Sequence, residues 1–210
     1  LDTDPLFVDM YAGNYRLSNF SPSIGTGTLE GAPSTDLVGD LRPQPEGSNP
    51  DMGAYENVLG QRLLGATYYV STSGSDTSNG TLISPFSTIQ QGVDAAWNGD
   101  TVIVYPGTYE GNINFNGKSI VLASRILESG DTTYVDSTII EGTVTINDGV
   151  DSTALFTGFT ITGDYTGRGL SVASEHNVLI DNIKVTRVGG VEFVQSKARL
   201  HNSTISHNTY

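Results

Sequence analysis

Between residues 154 and 207 the chain repeats one pattern three times. Ala154-Leu-Phe-Thr-Gly-Phe-Thr-Ile-Thr-Gly163 overlays Val178-Leu-Ile-Asp-Asn-Ile-Lys-Val-Thr-Arg187, and that overlays Ala198-Arg-Leu-His-Asn-Ser-Thr-Ile-Ser-His207, at offsets of 24 and 20 residues. Phe156, Ile180 and Leu200 align, as do Ile161, Val185 and Ile205, while Asn182 and Asn202 share a bend position. Between these phrases a further strand recurs, with Gly169-Leu-Ser-Val172 laid over Gly190-Val-Glu-Phe193. A repeat this short holds two or three brief strands and no helix, so it cannot bury an apolar face by itself. Its copies must stack.

Stacking makes strands of successive coils pair in parallel, aligns the inward Ile, Val, Leu and Phe in columns, and lets an Asn at a tight bend hydrogen-bond to the Asn above and below it. The predicted fold is therefore all-β, a right-handed parallel β-helix or solenoid. Composition agrees. The 25 glycines and the 16% charged fraction suit a chain of many turns and few ion pairs, and the 37% hydrophobic share suits a core without Leu- and Ala-rich helices. With 10 Lys plus Arg against 23 Asp plus Glu, the formal charge of −13 repels phosphate backbones and excludes nucleic acid and anionic membranes as partners. No cysteine is present for a disulfide or a thiolate metal site. No apolar run approaches the roughly 18–20 residues of a membrane helix.

One segment departs from the strand pattern. From Ser87 to Trp97 the residues Ile89, Val93, Ala96 and Trp97 fall at helical spacing behind Ser87 or Thr88 as N-cap, with Gly99 as terminator. This predicts one N-terminal capping α-helix near residues 87–97. After it, Thr101–Tyr105 alternates as a strand, Pro106-Gly107 reads as a turn, and Lys118–Ala123 as a second strand. Residues 1–57 differ: they carry six of the eight prolines in short pieces broken by turn signals, and the acidity is concentrated there. The expected division is a loop-rich tail at 1–57, a linker at 58–66, and a cap followed by coils at 67–210. A start at Leu1 without Met and an end at Tyr210 inside the repeat suggest a piece of a longer chain.

Residues Tyr68-Tyr-Val-Ser71, Gly74, Asp76, Gly80, Pro85-Phe86, Thr88-Ile-Gln90, Gly99-Asp100, Val102, Val104 and Pro106-Gly-Thr-Tyr109 carry a family likeness. This stretch resembles the opening of the right-handed parallel β-helix proteins of the pectate-lyase-like group. Asp4-Pro-Leu-Phe-Val-Asp9, Tyr15-Arg-Leu17, Ser21-Pro-Ser-Ile24, Gly27 and Pro50-Asp-Met-Gly-Ala-Tyr-Glu56 are similar to the tail that closes such a helix. Gly25 departs from that tail, which commonly has an acid there. The order, tail before opening, implies the junction between two consecutive β-helical domains of a tandem protein, or a permuted arrangement. Leu63-Leu64 of the linker could instead pack under the capping helix.

For uronic-acid lyases the resemblance implies a Lys or Arg base, a further Arg and often calcium-binding acids, since the proton next to a uronate carboxylate becomes acidic only when that carboxylate is neutralised. The candidates are Lys184, Arg187 and Arg199, with Asp181, Glu175 and Glu192 nearby in sequence. Lys184 is equivalent to Thr160 and Thr204 and should face outward, yet Arg187 and Arg199 belong to other strand phases, so a solvated face explains the same residues. Tyr105 and Tyr134, like Tyr109, can stack on sugar rings if exposed, and Glu192 joins Tyr105 and Tyr134 as a carbohydrate-binding candidate. Gly74–Gly80 is oxygen-rich, and Asp76 and Asn79 are its candidates for calcium, against the reading as a plain Asx and Gly loop. Gly111–Ser119 looks like a phosphate loop but has five residues between its glycines and no following helix, so Lys118 is read at a β-turn. His176, His201 and His207 have no ligand spacing, and Asn202-Ser-Thr204 fits a glycosylation sequon.

The expected function is an extracellular or cell-surface module of a larger tandem protein, secreted in the bacterial manner, with a structural, adhesive or glycan-binding role. The alternative is a fragment of a polysaccharide lyase or glycoside hydrolase whose groove lies largely outside this chain. Expected partners are a polysaccharide or cell-surface glycan and a second copy, joined end to end through the open β-helix end.

Overall fold

The structure is a computed structural model and describes residues 5, 7–9, 13–18, 21–59, 65–147, 149–165 and 167–208. It has two compact units, Leu1–Ala66 and Thr67–Tyr210. Residues 60–64, including Leu63-Leu64, lie outside the described residues, as do Asp4 and Leu6 of the tail and Tyr210.

The first unit is loop-built, as its prolines require. Strands β1 (Phe7–Asp9) and β2 (Asn14–Leu17) pair antiparallel, with Phe7 edge-on to Tyr15 at 5.5 Å. Residues 21–57 are held by buried carboxylates that accept backbone N–H groups. Asp36 takes those of Val38, Asp40 and Glu56, and Asp51 takes those of Gly25 and Asn57. Glu56 accepts from Gln44 and binds Arg42 Nε at 2.7 Å, with both side chains nearly inaccessible. Burial pushes the Asp51 carboxyl above the usual range despite the N–H groups of Gly25 and Asn57. Gly25, the departure from the family tail, adopts φ +64° and closes its turn on Asp51.

The second unit winds coil by coil. The first coil is β3 (Thr67–Val70), followed by α1 (Ile89–Ala95). Then come β4 (Thr101–Val104), β5 (Gly107–Glu110) and β6 (Ile113–Asn114). The third coil holds β7 (Val121–Ser124), α2 (Ile126–Ser129), α3 (Tyr134–Ser137), β8 (Thr138–Glu141) and β9 (Val144–Ile146). Next are β10 (Leu155–Thr157), β11 (Thr160–Thr162) and β12 (Arg168–Val172), then β13 (Leu179–Asp181), β14 (Lys184–Thr186) and β15 (Gly190–Phe193). The sixth coil contributes β16 (Arg199–His201) and β17 (Thr204–Ser206).

The second to fifth coils each deposit one strand per face, the first only β3 and the sixth only β16 and β17. The first face is a 6-stranded sheet in the order β16-β13-β10-β7-β4-β3, the second a 5-stranded sheet β17-β14-β11-β8-β5, and the third a 4-stranded sheet β15-β12-β9-β6. All their pairings are parallel, so the unit is a parallel β-solenoid. Inward side chains stack by register. Val102, Leu122, Phe156, Ile180 and Leu200 form one column, and Tyr109, Ile140, Ile161, Val185 and Ile205 another. Phe156 stacks on Phe159 at 5.0 Å and meets Phe115 edge-on at 6.1 Å. Each such fully buried side chain contributes about 1.5–3 kcal/mol relative to exposure.

The alignments Phe156/Ile180/Leu200 and Ile161/Val185/Ile205 are those of the ladder. In the third face Leu170, Ser171 and Val172 pair with Val191, Glu192 and Phe193 as aligned, but Gly190 meets Arg168 across an irregularity rather than Gly169. Gly158, Asn182 and Asn202 occupy one bend column at φ +88°, +47° and +43°. The two asparagines do not form an amide ladder: Asn182 and Asn202 both donate Nδ2–H to the carboxylate of Asp181, a better acceptor than an amide oxygen.

Four local readings change. The helix covers Ile89–Ala95 rather than 87–97, capped by Thr88, whose Oγ1 accepts the Gln91 N–H, and Ala96 is already extended. It is not the sole helix, because the one-turn α2 and α3 interrupt the third coil; a single turn shows no apolar period. Gly107 opens strand β5 instead of lying in a turn, and the following first-face strand begins at Val121, not Lys118. Lys118 directs Nζ at the carbonyls of Val93 (2.9 Å) and Asp94 (2.7 Å), capping the C-terminal turn of α1.

Candidate functional site

In four coils the corner between the first and second faces is a pair of residues: Tyr105–Pro106, Gly158–Phe159, Asn182–Ile183 and Asn202–Ser203. In the third coil it is drawn out into residues 125–137, which carry α2 and α3. Because Val104 and Ser124 are in register, Tyr105 and Arg125 leave consecutive rungs side by side. The Arg125 guanidinium lies over the Tyr105 ring at 5.0 Å and over the Tyr134 ring at 6.0 Å. Tyr69, on β3, extends the row with its ring 6.3 Å from that of Tyr105. All four side chains are half-buried.

The extended corner is braced from two sides. Arg125 Nε donates to Glu128 Oε2 at 2.9 Å, and this bond holds the guanidinium pKa above its usual value. Thr160 Oγ1 donates to the Val135 carbonyl at 2.8 Å, and Lys184 Nζ meets Asp136 Oδ1 at 3.1 Å. These contacts fix α3 against the outward face of β11 and β14. The Arg125 side chain is 37% exposed, so these ring contacts add little to stability. The cluster sets aromatic ring surface beside guanidinium N–H donors directed by a planar fork, which suits hydroxyl or carboxylate oxygens.

The structure thus brings Tyr105 and Tyr134 together, through a residue the sequence reading missed. Arg125 becomes visible once β4 and β7 are aligned, because it falls one position beyond the partner of Val104. The other candidates are dispersed. Lys184 faces outward on the second face, paired with Asp136. Arg187 sits at φ +59° after β14 with its guanidinium 5.9 Å from the Tyr165 ring. Arg199 is exposed on the first face, and Glu192 lies on the third in an ion pair with Arg168. Glu175, His176, His201 and His207 are exposed.

Asp76 closes the loop before α1: its Oδ1 accepts the N–H groups of Ser87 and Thr88, and its Oδ2 the Thr88 hydroxyl. Burial raises its pKa, but the hydrogen bonds from Thr88 and Ser87 outweigh this and leave it lowered. Asn79 Oδ1 accepts from Thr81 Oγ1 at 3.1 Å. Among the described residues no three His, Asp or Glu side chains group as metal ligands. Nor is any helix among them long and apolar enough to cross a membrane.

No family model matches the chain. It is similar to a pectate lyase of Emericella nidulans, 34% identical over 85 residues, which is 39% of this chain and 21% of the relative. The chain therefore spans about a fifth of that relative's length. Among solved structures it is similar to a rhamnogalacturonan lyase at 17% identity and a TM-score of 0.30, over 61% of this chain and 38% of the other.

Proposed function

We propose that this chain is a glycan-binding module of a larger secreted or cell-surface protein, built as a right-handed β-helix of the pectate-lyase-like kind. The observation that carries this reading is the convergence of Tyr105 and Tyr134 on Arg125 at an extended corner. The parallel solenoid and the partial likeness to a pectate lyase support it. Titration calorimetry against a panel of neutral and uronate polysaccharides tests it. Binding to at least one polysaccharide is expected, weakened at least tenfold in Tyr105→Ala/Tyr134→Ala with the fold intact by circular dichroism. Unchanged affinity in that variant removes the reading.

A second reading, a polysaccharide lyase whose groove extends beyond this chain, draws on the outward Lys184 and on the pectate lyase relative. Unsaturated-product absorbance from the longer protein, abolished by Lys184→Ala, would establish it over the first.

A further inference from the structure

The first-coil ends of the second and third faces are finished differently. The outer edge of β6 is closed by a side chain: Asn114 N–H donates to Gln90 Oε1 and the Asn114 carbonyl accepts from Gln90 Nε2. Among the described residues the outer edge of β5 has no such closure. Gly111 N–H goes to the Glu141 carbonyl, so by the alternation of a parallel ladder the N–H and C=O groups of Thr108 and Glu110 point away from β8. On that side lies a groove of about 270 Å³ lined by Thr72, Ser87, Thr88, Thr108, Tyr109 and Glu110. At about 30 Å³ per water it holds roughly nine waters, the space of one pyranose ring with some solvent.

We propose that this groove is a binding subsite for a single uncharged sugar residue. Its lining is that of a polyol site. The Glu110 carboxylate is exposed, has no ion-pair partner among the described residues, and accepts hydrogen bonds from a pair of neighbouring hydroxyls; the hydroxyls of Thr72, Ser87 and Thr108 both donate and accept. One carboxylate without a cation beside it disfavours an acidic sugar. Tyr109 ties the groove to the aromatic corner, since its hydroxyl donates to the Tyr105 carbonyl at 2.8 Å. The proposal rests on the reading of that corner as a glycan platform and adds the class of sugar at its end.

The test is a ¹H–¹⁵N titration of the whole chain with methyl galactoside and methyl glucoside, run on wild type, Glu110→Gln, Thr108→Val and Tyr105→Ala/Tyr134→Ala. The expected result is saturable shifts of the Thr108, Glu110 and Ser87 amides with at least one glycoside, weakened fivefold or more by Glu110→Gln or Thr108→Val and retained in the double tyrosine variant. Polysaccharide binding lost in the double variant, with these amides unmoved by either glycoside, overturns the subsite and leaves the corner standing. Shifts produced only by an extended Val-Thr hexapeptide overturn it in favour of strand addition at β5. If neither polysaccharide nor glycoside binds, both readings fall.

Discussion

Gln90 meets Asn114 as a strand would. The Asn114 N–H donates to Gln90 Oε1 at 2.8 Å, and Gln90 Nε2 donates to the Asn114 carbonyl at 3.1 Å and to Asp94 Oδ1 at 2.8 Å. A helix side chain thereby ends a sheet whose edge would otherwise invite another chain. Gln90→Glu keeps the acceptor, removes both donated bonds and adds a negative charge four residues before Asp94. A loss of about 1–3 kcal/mol is expected from the denaturation midpoint, with faster hydrogen exchange at Asn114.

Gly158 shares its bend with Asn182 and Asn202 but not their freedom. A Cβ there would stand 2.1 Å from Ser124 Oγ and 2.5 Å from Ile126 Cγ2, because α2 begins beneath it. Gly158→Asn is therefore expected to destabilise by about 1–3 kcal/mol even though asparagine suits a positive φ, whereas Asn182→Gly should change stability by less than about 1 kcal/mol. Equal thermal shifts for the two substitutions would show that the bend, not the crowding, decides.

Thr138 is inaccessible, and its hydroxyl has no hydrogen-bond partner among the described residues. Valine has the same shape, favours strands and carries no polar atom. Thr138→Val is expected to raise stability by about 1 kcal/mol in urea unfolding, since it removes a hydroxyl buried unsatisfied. A fall in midpoint would mean that the hydroxyl is satisfied in solution.

Burial pushes the Tyr109 hydroxyl up to about 12, despite the backbone N–H of Thr72 nearby. A proton held more tightly in the folded chain than in the unfolded one stabilises fully below the ordinary tyrosine value of about 10 and is lost as pH rises toward 12. Wild type should therefore lose stability between about pH 10 and 12 faster than Tyr109→Phe. At pH 8 the phenylalanine variant should be the weaker, by the bond to the Tyr105 carbonyl, and the gap should close or reverse by pH 11.5. Parallel alkaline profiles would contradict this.

What the sequence made legible was the part governed by stacking. Phe156, Ile180 and Leu200 are recognisable as one column because an inward position admits only large apolar side chains, coil after coil. Thr88 was legible as a cap for the same local reason. Residues 125–137 were not, because a one-turn helix has no period and the segment has no counterpart in the other coils. Arg125 was missed with them, although its neighbours Tyr105 and Tyr134 were singled out as aromatics. The partners of Asp181 could not be read either: which of two acceptors an asparagine amide selects depends on where the next coil sets it down.

The corner between the first and second faces separates two kinds of inheritance. Inward residues answer to the coils above and below them, so a change in one must be matched in its neighbours. The corner is held more loosely: Phe159 and Ile183 are core residues and Gly158 is crowded by α2, yet the third coil accepts a long excursion there while β7 and β8 keep register with β10 and β11. Tyr105–Pro106 and Asn202–Ser203, which place no side chain in the core, are thus splice points for a new loop, whereas a graft at the other two corners must keep Phe159 and Ile183. A binding surface on such a scaffold can be lengthened one corner at a time.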